Sequence, residues 1–164
     1  MNLVGIGYDI HSFAPPEANR PLVLGGVTIA HTQGLDGHSD ADVLSHAIAD
    51  AVLGAIGERD IGYHFPNTDE SIRNIRSLEI VRKSADLVAG QGGRIINIDA
   101  SLIAEAPKIG PHLEAMRGNL AEALGIDPRR IGIKATTNER LGALGRSEGI
   151  AAMAVASVEL PEEL

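Results

Sequence analysis

The chain has 164 residues, a net charge of −8, 44% hydrophobic residues and only 2% aromatics. That is about one domain of length, too apolar for a disordered chain, and too acidic and too poor in stacking aromatics for a nucleic-acid binder. There is no cysteine, which excludes disulfides, thiolate catalysis and cysteine-ligated metals, and no apolar run reaches the ~18 residues of a membrane span.

Met1–Val4 lacks the basic and apolar run of a secretory signal, so no membrane partner and a cytoplasmic location are expected. Residues 3–10 alternate, with Val4, Ile6, Tyr8 and Ile10 on one face and Gly5, Gly7 and Asp9 on the other. This is the pattern of a strand with a sterically open glycine face. Leu22–Leu24 and Val27–Ile29, joined by Gly25-Gly26, read as a hairpin. Ser39 reads as a helix N-cap with Asp42 as its capping-box partner, and the apolar spacing predicts a helix from Asp40 to near Gly57. A second helix is expected over 71–90, a strand over 94–105, and a third helix from Pro111 to Leu124 with Gly125 at its C-terminus. Ile131–Thr137 and Ile150–Leu160 read as strands around a glycine-rich loop, 138–148. This order predicts a single α+β domain over 1–164, a mixed β-sheet with helices packed on one face. Glycine and alanine make up about a quarter of the chain, so its core is thin, and burial between subunits is expected to supply part of its stability.

Four constellations carry chemistry. Asp9 and His11, two apart on a strand, point the same way, with Gly7 leaving room beside them. Asp and His are ordinary zinc ligands, although a D-x-H pair equally describes a loop-capping Asp beside a surface His. His46 lies on the first helix with Asp42 and Asp50 four residues to either side, either a solvated polar stripe or a ligand oriented by two carboxylates. Asp9, His11 and His46 together would leave one coordination position open, as in a catalytic zinc site. His38 could assist an anion held by the N–H groups of Ser39 and Asp40 at a helix start. Ala104-Glu105-Ala106-Pro107-Lys108-Ile109-Gly110 is either an ordinary strand-to-helix turn or a rigid loop reading a base edge, with Lys108 toward phosphate. Thr136, Thr137, Asn138 and Glu139 at a strand end suit a phosphate–Mg²⁺ complex, and equally suit a strand and turn. Dinucleotide, P-loop and H-E-x-x-H signatures are missing from the sequence. His31, His64 and His112 have no evident partners.

Taken in order, the stretches Gly5–His11, His38–Asp42 with His46, Asp60–Gly62, Phe65–Asp69, Ala106–Lys108, Lys134–Thr137 with Glu139, and Gly145–Ile150 resemble the 2-C-methyl-D-erythritol 2,4-cyclodiphosphate synthase family of non-mevalonate isoprenoid biosynthesis. The resemblance implies a homotrimer with active sites between subunits, which cyclises 4-diphosphocytidyl-2-C-methyl-D-erythritol 2-phosphate by attack of its 2-phosphate on the β-phosphorus, releasing CMP. It further implies Zn²⁺ on Asp9, His11 and His46, a second divalent ion, Mg²⁺ or Mn²⁺, at Glu139, and transition-state stabilisation by His38 and Thr137. Asp9–His11, His38, Ser39, Asp60, Ile61, Gly62, Phe65, Pro66, Asn67, Thr68 and Asp69 match positions around the zinc and the erythritol phosphate end, Ile10 included. Ala104–Gly110 and Thr136–Glu139 match the cytidine diphosphate pocket, and Ala143 and Arg146 match further substrate contacts. Tyr8, Arg146 and Glu148 match the lining of an axial cavity that can hold an isoprenoid diphosphate. Two positions depart from the family pattern. Asn67 stands where an Asp is common, keeping a hydrogen-bonding role but no charge, and Ala143 stands where some members carry an aromatic. The competing readings are a metal-dependent nucleotide phosphoesterase using the same ligands, and a trimeric module that binds an anionic metabolite.

Overall fold

The computed structural model describes residues 1–162; Glu163 and Leu164, part of the domain expected over 1–164, lie outside the described residues. Four strands, β1 (Asn2–Ser12), β4 (Arg94–Ile103), β5 (Ile131–Thr136) and β6 (Gly149–Glu159), form one sheet in the order β1-β6-β4-β5. The hairpin β2 (Leu22–Leu24) and β3 (Val27–Ile29) stands apart from it. β6 is antiparallel to both β1 and β4, whereas β4 and β5 are parallel, so the sheet is mixed, as the order of elements predicts. The C-terminal ends of β1, β4 and β5 therefore share one end of the sheet.

Helix α1 (Val43–Ala55) is apolar nearly all round and almost wholly buried, the mark of a helix with protein on every side. It lies against β1 and β6, with α3 (Ser77–Gly90) on its outer flank and α4 (Leu113–Leu124) beyond. Two further helices, α2 (Ile61–His64) and α5 (Gly142–Gly145), are single turns. Among the described residues no helix is long and apolar enough to cross a membrane.

The glycine face of β1 differs from expectation. A Cβ at Gly5 would overlap the carbonyl oxygen of Ala51, and one at Gly7 that of Ala47. The space beside Asp9 is thus filled by the backbone of α1 rather than open. Gly7→Ala is expected to force strand and helix apart at a cost of about 3 kcal/mol. A thermal melt would read this as a loss of roughly 6–12 °C; an unchanged melting temperature would contradict the packing.

Four local expectations also need correction. Asp42, not Ser39, caps α1, accepting from Ser45 N at 3.1 Å, and the helix starts at Val43. The reason is tertiary: the fully buried Asp42 carboxylate also accepts from Gly25 N and Gly26 N at the hairpin turn and from the Ser45 hydroxyl. The helix expected from residue 71 begins only at Ser77, because Asn74 takes a left-handed φ of 60° after a short turn over Glu70–Ile72. Pro111 lies in a 3₁₀ turn over Gly110–His112 that precedes α4, and β4 ends at Ile103 rather than near residue 105. Gly125 does adopt the left-handed helix end expected of it, with φ 67°.

Candidate active site

Two chain segments, β1 and α1, converge at the C-terminal end of β1. The strand aims Asp9 and His11 from one face, and α1 carries His46 into the same space from behind. His11 Nε2 and His46 Nδ1 each stand 2.9 Å from Asp9 Oδ2 and 3.2 Å from each other. Among the described residues this is the one cluster of three or more His, Asp or Glu side chains whose ligand atoms lie within 4.8 Å of one another.

The donor set fits a dication. Bonds of about 2.0–2.1 Å in a tetrahedron imply ligand–ligand edges of ~3.3 Å, slightly longer than the measured triangle. The outward nitrogens of both rings are engaged elsewhere, His11 Nδ1 by the Asp36 carbonyl at 2.6 Å and His46 Nε2 by Ser77 Oγ at 2.8 Å and Ser39 Oγ at 3.1 Å. Each ring therefore turns its remaining nitrogen toward the common centre.

Burial raises the Asp9 pKa, but hydrogen bonds and charge from His11 and His46 outweigh it and hold the carboxyl at about 2. Burial lowers that of His11, and the Asp9 bond and charge, helped by the Asp36 carbonyl, reverse the effect and raise it above 6.5. The signs fix a pH window for the metal-free protein. Asp9, depressed on folding, stabilises above its unfolded value near 3.8 and loses that contribution as pH falls toward 2. His11, raised on folding, stabilises below 6.5 and loses that contribution as pH rises through its folded value. Chelator-treated protein is expected to melt highest between these limits. Zinc takes the place of the imidazole proton, so loaded protein should hold its melting temperature to neutral pH. Parallel pH profiles for the two forms would refute this.

A cavity of about 230 Å³ opens on the cluster, lined by Asp9, His11, Gly37, His38, Ser39, His46, Ile61, Gly62, Phe65, Asn67, Ile72, Ile75 and Ile80. A separate cavity of about 350 Å³ lies between the ends of β4 and β5, lined by Ala104, Glu105, Pro107–Leu113 in part, and Ala135–Thr137. The two share no residue, and β6 runs between the strands that carry them.

The remaining expected site residues line neither cavity. Ile10 points to the opposite, exposed face of the sheet. Asp60 caps α2 through Tyr63 N at 2.9 Å, Asp69 accepts from the N–H and hydroxyl of Ser71, and the Asp69 carbonyl approaches His38 Nε2 at 3.4 Å. Pro66, Thr68, Ala106 and Ala143 lie outside both linings. Asn138 and Glu139 sit on the loop after β5, where Glu105 Oε1 accepts from Asn138 N and Arg140 N, both at 3.0 Å. Glu139 takes φ 51°, and its N–H donates to Thr137 Oγ1; it is not part of the Asp9 cluster. Arg146 Nε pairs with Glu148 Oε1 at 2.6 Å.

Several expected roles move to other residues. Asp42 and Asp50 do not orient His46: Asp42 serves the hairpin, and Asp50 accepts from Ile61 N at 2.8 Å. Because α1 starts at Val43, the N–H of Asp40 is no helix-end anion site; it donates to the Ile75 carbonyl. His64 stands 3.3 Å from Glu58, and His31 lies against Phe13 with ring centroids 5.4 Å apart and planes tilted by 45°, so neither lacks a neighbour. Arg20, which no sequence pattern singles out, donates to the carbonyls of Leu35 (2.8 Å) and Ser39 (2.6 Å). It thereby clamps both feet of the strap carrying Asp36, His38 and Ser39. Gly37 in that strap is closely packed: a Cβ there would stand 3.0 Å from the Ala41 Cβ and 3.1 Å from the His11 ring.

These features define an α+β domain with a three-donor cluster that could hold a cation, open on one side, at the mouth of a cleft. A model of the YgbB family matches residues 2–159. The chain belongs to that family. It is 65% identical over 162 residues to 2-C-methyl-D-erythritol 2,4-cyclodiphosphate synthase of Akkermansia muciniphila, covering 99% of this chain and 95% of that one. The Synechocystis synthase is 56% identical over 153 residues, 93% of each chain. Among solved structures, the bifunctional IspDF of Campylobacter jejuni superposes with TM-score 0.92 at 42% identity, covering 98% of this chain but 43% of that one. Plasmodium falciparum IspF in its CDP complex superposes at 0.84 and 32% identity, covering 98% and 97%.

Proposed function

We propose that this chain converts 4-diphosphocytidyl-2-C-methyl-D-erythritol 2-phosphate into 2-C-methyl-D-erythritol 2,4-cyclodiphosphate and CMP, as a phosphorus–oxygen lyase. The observation that carries the proposal is the Asp9–His11–His46 triangle opening on a cavity, in a chain so similar to proteins named for that reaction.

The 2-phosphate oxygen bonds to the β-phosphorus, the bond from that phosphorus to the bridging oxygen breaks, and CMP leaves with that oxygen. The nucleophile is already ionised, so no general base is needed; the obstacle is anion approaching anion in a protein of net charge −8. Asp9, His11 and His46 would hold Zn²⁺, and Glu139 a second divalent ion, Mg²⁺ or Mn²⁺. Dications bound there supply positive charge that offsets this repulsion and the charge developing on phosphorus. His38 on the Arg20-clamped strap and Thr137 at the end of β5 would donate hydrogen bonds that hold the two phosphates in line. The cavity beside the triangle suits the erythritol phosphate end, with Asn67 as a neutral partner, and the cavity at Ala104–Gly110 suits cytidine diphosphate, supported by the CDP complex of the P. falciparum relative. Clamping both ends selects the folded substrate, and well-oriented intramolecular reactions reach effective molarities of ~10⁵ M or more.

The two cavities lie apart in one chain, and Val4, Ile6, Tyr8, Ile10, Met153 and Val155 leave an apolar stripe exposed on the sheet's outer face. A homotrimer answers both features, since it buries the stripe and brings one subunit's nucleotide cavity to its neighbour's metal site. Tyr8, Arg146 and Glu148 would then face the axis, where an isoprenoid diphosphate fits. Cytoplasmic residence belongs to the same reading.

³¹P NMR of the product, with and without EDTA, tests the reaction. A cyclic diphosphate plus CMP, lost on chelation, is expected. A linear bisphosphate plus CMP would replace cyclisation by nucleotide hydrolysis, and no turnover by a chain that binds no zinc would leave a binding module.

A further inference from the structure

The Asp9–His11–His46 triangle has a third layer that no sequence pattern announces. Ser77, the first residue of α3, is fully buried, and its Oγ lies 2.8 Å from His46 Nε2. The same hydroxyl donates to Asp40 Oδ1, while Asp40 Oδ2 accepts from Ser77 N at 3.0 Å. The hydroxyl proton is thus committed to a carboxylate, which leaves the Ser77 oxygen as an acceptor and makes His46 Nε2–H the donor. That assignment fixes which nitrogen of His46 carries hydrogen and which faces Asp9 and His11. Residues 40, 46 and 77 come from three different segments, and all three contacts run through buried or half-buried atoms, where hydrogen bonds hold geometry most firmly.

We propose that Asp40 and Ser77 are positioning residues for the cation site: the Asp40 carboxylate, acting through the Ser77 hydroxyl, fixes the His46 ring with Nδ1 toward the centre and strengthens it as a donor. A carboxylate behind a ligating imidazole does both, and here one hydroxyl is interposed. The obvious alternative is that Asp40 merely caps α3, whose N-cap Arg76 makes no side-chain cap of its own. A cap would affect the stability of α3 but not the zinc affinity or the His46 ring.

The inference rests on zinc binding at Asp9, His11 and His46. If the unaltered chain fails to bind zinc in competition with a chromophoric chelator, that reading falls first. If it binds, Ser77→Ala and Asp40→Asn, checked as folded by circular dichroism, test the present one. Ser77→Ala is expected to weaken zinc binding by about 10–100-fold. Asp40→Asn, which removes charge from a residue that does not touch the ring, is expected to shift the His46 Nε2–H resonance of zinc-loaded protein in ¹H–¹⁵N spectra. A loss of affinity below tenfold in Ser77→Ala, or an unmoved His46 resonance in Asp40→Asn, overturns the proposal.

Discussion

Asp9→Asn is expected to empty the cation site and abolish turnover while the chain stays folded. Asparagine keeps the size of the side chain but removes the one negative charge of a donor set that is otherwise neutral when it binds metal. Asp9 Oδ2 is also the shared vertex of the triangle, 2.9 Å from both imidazoles, so removing its charge weakens two of the triangle's three contacts at once. Charge stabilisation by a bound dication contributes several kcal/mol to such a transition state; about 4 kcal/mol corresponds to a ~10³-fold slower reaction. Metal analysis should find zinc near one per chain in the parent protein and almost none in the variant, with circular dichroism unchanged. A variant that retains stoichiometric zinc and native turnover would remove Asp9 from the site.

Ile6→Asp is expected to produce a monomer that binds zinc and does not cyclise substrate. Ile6 is 67% exposed and Val4 69%, values expected on a surface that another subunit covers. An aspartate at the middle of that stripe would be buried without a partner in the assembly, at a cost of several kcal/mol, yet would sit in water in the separated chain. Light scattering should therefore move from about three times 17.2 kDa to a single chain. All three triangle residues belong to one chain, so zinc binding should survive separation. Turnover should not survive, because the nucleotide cavity facing each metal site would belong to a neighbour. An Ile6→Asp protein active as a monomer would refute the shared site, and a parent chain already monomeric would refute the trimer.

The legible parts of the sequence were those written as periodicity. Alternation along residues 3–10 and the two-residue spacing of Asp9 and His11 put both on one side of a strand, and helical spacing from Asp40 puts His46 on the first helix. The hairpin followed from two glycines between short apolar runs. What periodicity omits is contact between distant segments. Asp42 looked like a neighbour of His46 because the two are four residues apart, but two backbone N–H groups at Gly25 and Gly26 claim its carboxylate. Ser77 and Asp40, which do reach His46, directly and through the hydroxyl, are 31 residues from it in one case and separated by 37 from each other. Arg20 is similarly invisible, a lone cation in a proline-bearing loop until the strap folds over it. Ile72 and Ile75 carry helical spacing that ran the predicted helix too far, since spacing does not register the left-handed turn at Asn74.

The near-contact of β1 with α1 through Gly5 and Gly7 has an effect on how the chain finds its pairing. Sliding β1 by a single residue against β6 would swap its two faces, driving Ile6 and Tyr8 into a gap that admits only hydrogen atoms. No compensating rotamer exists, because the obstruction is main chain. Misaligned alternatives are thereby eliminated by volume alone, and the direction in which Asp9 and His11 aim is settled as soon as the strand docks.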